Sequence, residues 1–366
     1  MKLLATKENL LFGVSAVQKA VSSKNVKPIL TCIKIDAHNG LLYFYATDLE
    51  IGIQCYVPVE IIEEGSTVIP AKYLLEIVRK LPDSQITLET TTNNELEIKY
   101  EQSQLNLKSY YSNEFPNFSK TDNNYELSIS TSLFKQMIKQ VVFACGTDDN
   151  KPFFMGVLCE VENNNLKMIS TDTHRLALKQ CEIQNISEEA ISFIVPSKIL
   201  SELARLMQDE NEICNIKISK NVATFTVANI LLVCRLLDGQ FPNYTQVIPT
   251  EYTLKIKAKT KILNKSVERI SLFTENDNSS NIKISVQNNN MIISSQSELG
   301  NGYEKIDIDV EGEPVDIFFN YNYLLDVFKV IEDEYLTIEF TGPLSPGIVR
   351  SYENNNFIYL ILPVRS

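Results

Sequence analysis

VIPAKYLLEIVRKL, residues 68–81, ends in a helix over about 71–81, and the same pattern returns twice. IVPSKILSELARLM stands at 194–207 and FFNYNYLLDVFKVI at 318–331. Lys72, Lys198 and Asn322 share one register, at steps of 126 and 124 residues. Outward from this helix the match continues. YATDLEIGI carries Asp48, STDTHRLAL carries Asp172 and ISSQSELGN carries Gln296, each step being 124. NEFPNF ends at Phe118 and GQFPNY at Tyr244, 126 later. The pairs Asn39-Gly40, Asn163-Asn164 and Asn288-Asn289 keep the rhythm as turns. One matched segment is chance; four in one order make three tandem copies of a single module. The expected modules are 1–121, 122–248 and 249–366, an ordinary domain size.

Each copy reads alike. A first helix is expected to start at a hydroxyl cap, Thr6, Thr131 or Thr260, whose oxygen accepts from orphan backbone N–H groups. In the second copy Leu133, Phe134, Met137, Ile138 and Val141 form one apolar stripe at helical spacing. Strands follow, LTCIKIDA, LLYFYAT and IGIQCYVPV in the first copy, rich in β-branched and aromatic residues. A second helix and strands such as LEIKYEQ and LNLKSYY complete the copy. The fold class is α+β, with both helices of a copy on one face of a sheet.

The chain has 366 residues, 44% apolar and 22% charged, so it buries a full core without staples. No run approaches the roughly 18 apolar residues of a membrane span. MKLLATKENLLFG lacks the long apolar core of a secretion signal, which points to the cytoplasm. Seven scattered cysteines without a C-x-x-C pair read as reduced core residues, not a metal site.

Net charge is −12, which by itself argues against tight DNA binding. The charge is unevenly placed. Six expected helices (7–24, 71–81, 131–143, 196–208, 259–273, 322–331) hold 15 Lys/Arg against 5 Asp/Glu, and the remainder holds 19 against 41. Helix propensity favours Lys and Glu alike, so it does not explain this ratio. Lys135 and Lys139, four apart, are expected opposite the apolar stripe. Lys19, Lys24, Lys72, Arg79, Lys80, Lys198, Arg205, Lys265 and Arg269 extend the basic set. Such a face suits a phosphate backbone and reads no bases.

Catalytic signals are thin. His174 with Asp172 makes an acid/base pair imaginable, but the first copy keeps Asp48 without a histidine. G-x-S-x-G, G-x-G-x-x-G and G-x-x-x-x-G-K are absent.

THRLAL at 173–178, DGQFPNY at 238–244 and the closing LILPVRS, within the triplicate frame, resemble the β sliding clamp family of bacterial DNA polymerase III over the full length. The resemblance implies two chains closing head to tail into a ring, with helices lining the hole and sheets outside. Duplex DNA would thread it, held by the basic helices and without sequence preference. Partners would be a second copy, the polymerase III α subunit, the clamp loader and other proteins with a clamp-binding motif. It implies no catalysis, cofactor, metal or membrane. The family's partner pocket maps to Thr171, Thr173, His174, Arg175 and Leu176, to Pro242 and Val247, and to Leu360, Leu362, Pro363, Val364 and Arg365. Phe154 and Ser345 match more loosely. Its dimer contact maps to Leu105 and Leu107 against Leu272 and Phe273. Thr173 stands where glycine is usual and Gln246 where a basic residue is common; a position needing φ > 0 makes Thr costly. The alternatives are a monomeric triplicated module binding a protein or sugar and, after that, an enzyme.

Overall fold

Three two-residue turns carry the repeat into three dimensions. Asn39 and Gly40 have φ of 52° and 75°, Asn163 and Asn164 of 50° and 60°, Asn288 and Asn289 of 49° and 59°. Positive φ at both positions is the hairpin turn whose twist matches its strands, and asparagine and glycine tolerate it. Their flanks pair accordingly, His38 with Leu41, Glu162 with Asn165 and Gln287 with Asn290. The computed structural model describes residues 1–22, 27–116, 125–148, 150–185, 189–274, 280–298, 300–353 and 356–364. Phe118, the 121/122 boundary, Lys24 and Arg365 lie outside the described residues.

Six α-helices are described: α1 (Lys7–Val17), α2 (Ala71–Lys80), α3 (Thr131–Val141), α4 (Ser197–Leu206), α5 (Thr260–Ile270) and α6 (Tyr321–Phe328). They are shorter than the sequence pattern suggests. After α1, α3 and α5 the chain tightens into one 3₁₀ turn, closed by Val21 N–H to Gln18, Cys145 N–H to Val142 and Thr274 N–H to Ser271. Of the three threonines Thr6 is the one that caps its helix, accepting from Asn9 N–H at 3.2 Å. Thr131 and Thr260 are instead the first helical residues, nearly fully buried. Their hydroxyls donate to Asp209 O at 2.6 Å and Asp333 O at 2.8 Å, pinning each helix start to the loop that follows the copy's second helix.

Two compact units contain four sheets among the described residues. The first unit comprises Met1–Phe134, Gln184–Ser187 and Glu202–Leu236. It holds a five-stranded sheet ending at the edge strand Ser103–Lys108. It also holds a nine-stranded sheet, in which five strands of the second copy join four of the first. The join is the antiparallel pair Ile230–Arg235 with Ile51–Pro58. The second unit comprises Lys135–Ile183, Glu188–Ser201 and Leu237–Ser366. Its nine-stranded sheet joins four strands of the second copy to five of the third, through Arg175–Glu182 with Phe357–Ile361. Its four-stranded sheet ends at the edge strand Gly300–Asp307.

Each copy therefore divides its strands over two sheets, where one sheet was expected. The helices explain this. α1 packs on Leu41–Thr47 and Ile51–Pro58 and also on Lys2–Thr6, so it covers one sheet on either side; α5 does the same with Asn290–Ser297, Gly300–Asp307 and Leu254–Lys259. LNLKSYY is a strand only through Lys108; Tyr110 makes a single bridge to Val68. No helix among the described residues is long and apolar enough to cross a membrane.

Candidate functional site

Three features bear on function: the basic helix faces, the expected partner site in the second unit, and the edge strands Ser103–Lys108 and Gly300–Asp307. Lys72, Arg79 and Lys80 on α2, Lys198 and Arg205 on α4, and Lys265 and Arg269 on α5 are all exposed. They stand off the buried stripes, Leu74, Leu75 and Val78 in α2 and Leu263, Val267 and Ile270 in α5. Lys135 is half-buried, so it flanks the stripe of α3 and does not stand opposite it. At 100° per residue it lies only one step round from the stripe's edge. Several of these cations already have carboxylates: Lys139 has Glu332 at 2.9 Å, Arg205 has Glu202 at 2.6 Å and Lys19 has Glu202 at 3.7 Å. Arg269 is forked onto Glu304, its Nη2 donating at 2.6 Å.

The expected partner site centres on the hairpin Asn165–Thr171 and Arg175–Glu182. Its turn is fixed by side chains. Asp172 Oδ1 accepts from His174 N–H at 2.9 Å and Arg175 N–H at 3.0 Å, and Thr171 Oγ1 accepts from Thr173 N–H at 3.1 Å. That forces φ of +78° on Thr173, and Leu49 at the same place in the first copy has +80°. Strand Phe357–Ile361 pairs with the hairpin, Leu176 opposite Leu360, and Leu362 N–H then donates to His174 O at 2.9 Å. The tail is thus laid along the hairpin's end.

The expected groove residues divide by depth. Leu176 and Leu360 are buried, in one cluster with Leu158, Ile169, Leu178, Tyr244 and Ile348; Thr171 is buried too. They belong to the core beneath the expected site. Val247 is 51% and Leu362 38% exposed, and Thr173, His174 and Pro242 are exposed as well, so these can meet a ligand. Phe154, Ser345, Pro363 and Val364 are half-buried. The Phe154 ring lies tilted against Phe153, centroids 4.5 Å apart, and meets Phe241 edge-on at 6.1 Å. Ser345 lies in the loop before Gly347–Ser351, its N–H on Gly342 O.

Arg175 departs from expectation. Nε donates to Asp172 at 2.9 Å, Nη1 to Asp326 at 2.6 Å and Nη2 to Phe143 O at 2.7 Å. The guanidinium also lies 4.4 Å over the Tyr323 ring. All three nitrogens are engaged and its side chain is 10% exposed. It clasps the hairpin to α6. Burial opposes its charge, but Tyr359, Asp326 and Asp172 hold its pKa above the ordinary value. Burial likewise raises the Tyr359 hydroxyl beneath it. Asp326, Tyr323 and Phe143 were not foreseen, since no local motif marks residues so distant in sequence.

At the open edges, Leu105 is 36% exposed and Leu107 half-buried on Ser103–Lys108. Leu272 is 74% exposed, whereas the Phe273 ring turns back onto its own sheet over Gly300 and Gly302. Tyr303, 74% exposed on Gly300–Asp307, was missed; its place in an alternating strand was the available signal.

Comparison with known proteins agrees along the whole chain. Models of the DNA polymerase III beta subunit match its N-terminal domain to residues 1–119, its central domain to 128–243 and its C-terminal domain to 245–365. The curated beta sliding clamp of Bacillus subtilis strain 168 is 33% identical, with all of both chains covered. The solved DNA polymerase sliding clamp from Bacillus subtilis superimposes with a TM-score of 0.97, at 33% identity, over 100% of this chain and 99% of that one. The C. crescentus beta sliding clamp, solved with PEG bound, gives 0.94 at 29% identity over 100% and 99%.

Proposed function

The chain belongs to the DNA polymerase III beta subunit family, and on that premise we propose how its own residues serve a sliding clamp. The protein is a non-catalytic processivity factor. Two copies encircle duplex DNA and tether the polymerase. Retention is topological, so the basic helices need only weak, sequence-independent contact with phosphates. Tethering raises the polymerase's effective concentration, so modest peptide affinity suffices. We assign the modules to 1–121, 122–248 and 249–366. Seven free cysteines and no disulfide suit a reducing cytoplasm, where we place it.

The observation that carries the ring is the pair of open sheets. Both nine-stranded sheets combine a five-strand half with a four-strand half, and each chain leaves one half of either kind unpaired. Unpaired edges invite pairing. A head-to-tail dimer would match them twice and close. The repeat supplies the register. Leu105 pairs with Ile98 as Leu232 does with Phe225 and Tyr359 with Val349. Tyr303 pairs with Ser294 as Ile53 does with Ala46 and Ala177 with Ser170. Within the chain Leu232 faces Ile53 and Tyr359 faces Ala177. Leu105 should therefore face Tyr303 of the partner subunit, and Leu272 should flank that seam.

The groove is the docking place for partner peptides. An apolar anchor would lie between Val247, Pro242 and Leu362 above the Leu176 and Leu360 floor, with His174 and Thr173 at the rim. The test of the ring is the double variant Leu105→Cys with Tyr303→Cys under mild oxidation. Efficient covalent dimers are expected, which stay on nicked circular DNA and leave once it is linearised. Asn301→Cys in place of Tyr303→Cys should cross-link poorly. Equal or better yield from Asn301→Cys would refute the register.

A further inference from the structure

The basic helix surface contains carboxylates placed to neutralise part of it. Glu202 on α4 lies between Lys19 at 3.7 Å and Arg205 at 2.6 Å, one carboxylate for two cations. Its side chain is 24% exposed, and its Oε2 is buried without a hydrogen bond, so Lys19 is its described counter-charge. Both cations and Glu202 border a cleft of about 370 Å³ that is also lined by Leu11, Phe12, Ala16 and Leu206. Glu332, after α6, holds Lys139 at 2.9 Å, both side chains being more than half exposed. By contrast Lys72, Arg79, Lys80, Lys198 and Lys265 take part in none of the ion pairs among the described residues.

The cations thus fall into two classes. An unpaired lysine meeting a phosphate releases a condensed counter-ion from the DNA, which is the source of non-specific affinity. A lysine already held by a carboxylate must give that contact up, so its net gain is smaller. We propose that Glu202 and Glu332 are built-in counter-ions that weaken the channel's grip on DNA and so keep the ring mobile. This rests on reading these helices as the DNA-facing surface. The Lys139–Glu332 pair is exposed on both sides, and such pairs are weak enough for a phosphate to displace; Lys19 and Arg205 keep exposed heads over the partly buried Glu202. Lys19, Arg205 and Lys139 would then act as a reserve, used when DNA tilts against them, while the unpaired lysines carry the steady contact.

The experiment uses the full-length dimer and isosteric variants: Glu332→Gln, Glu202→Gln and the double variant. Binding to a short linear duplex is titrated against salt, and diffusion of loaded rings is followed on long duplex DNA. Freeing three cations should raise affinity about tenfold at low salt and steepen the log–log salt slope by up to about 3. Sliding should slow in parallel. Glu332→Gln alone, at an exposed position, should give about a third of the change in slope without disturbing the fold; melting curves check Glu202→Gln. The triple variant Lys72→Glu, Lys198→Glu and Lys265→Glu is the control for the surface itself. If it weakens binding while the glutamine variants change neither slope nor diffusion, the counter-ion role is wrong and the DNA-facing surface stands. If the control also has no effect, the surface assignment fails and the proposal falls with it.

Discussion

Thr173 is a β-branched residue held at φ +78°. For an L-residue this region costs roughly 1–2 kcal/mol, and glycine, which escapes that cost, forfeits about 0.5–1 kcal/mol of chain entropy. Thr173→Gly should therefore gain up to about 1 kcal/mol in urea unfolding, and Leu49→Gly, at +80°, should behave alike. A loss of stability in both would mean that the side chains pack better than their exposure suggests. Lys179 offers a second test. It is 5% exposed, and burial depresses its pKa below the ordinary 10.5. A lysine with a lower folded than unfolded pKa destabilises the fold while both states are protonated, and that penalty fades as pH rises from the folded value to 10.5. Lys179→Met should raise the melting temperature at pH 7, with a smaller benefit near pH 10; an equal benefit at both would exclude a charge effect. At this scale the sequence was partly legible. The glycine usual at this place in the resembling family made Thr173 a visible anomaly. The fate of Arg175 was not legible, because Asp326 and Phe143 reach it only through tertiary packing.

Gly13 of α1 lies where any Cβ would collide with the fully buried Phe44 ring. The helix can approach Leu41–Thr47 this closely only without a side chain at that point. Gly13→Ala, favourable in an isolated helix, should here cost about 1–3 kcal/mol through overpacking; a neutral result would show that Phe44 has space to move. The C-terminal segment behaves differently. Strand Phe357–Ile361 stays paired when Pro363–Ser366 is deleted, and the described backbone loss is Val364 N–H to Phe318 O at 2.9 Å. Deletion should cost about 1 kcal/mol of stability, the net worth of one such bond. It should still abolish binding of a polymerase-derived peptide in calorimetry, since one wall of the groove goes with it. Retained affinity would move the docking site elsewhere. Element identity was readable wherever the apolar period was clean, as in α3. Helix ends were not, because the 3₁₀ turns carry the helical period past each α-helix and the hydroxyl bonds of Thr131 and Thr260 reach loops 78 and 73 residues away.

The triplication was plain from spacing alone, but the partition of each copy over two sheets was not. Period-2 alternation identifies a strand's buried face without naming its neighbour, and the join of Ile230–Arg235 to Ile51–Pro58 spans most of two copies. That join makes closure of the whole molecule predictable, because the same edge types are left open at Ser103–Lys108 and Gly300–Asp307. Leu272 and Tyr303 are each 74% exposed in the single chain, so aspartate at either costs the isolated fold little. In a dimer the same aspartate would lose its water at the seam, and a buried unpaired charge costs several kcal/mol. Symmetry doubles the effect, since every substitution enters both seams of the ring. Leu272→Asp combined with Tyr303→Asp should therefore sediment as a folded monomer of 41.6 kDa with near-native melting, where the unsubstituted protein is expected at twice that mass. Because dimer population depends on concentration, the comparison belongs at several concentrations. The monomer should also fail to remain on circular DNA even at low salt, although its basic helices are untouched and it still binds a polymerase peptide in the second unit's groove. Retention by that monomer would show that charge, and not closure, holds the protein on DNA.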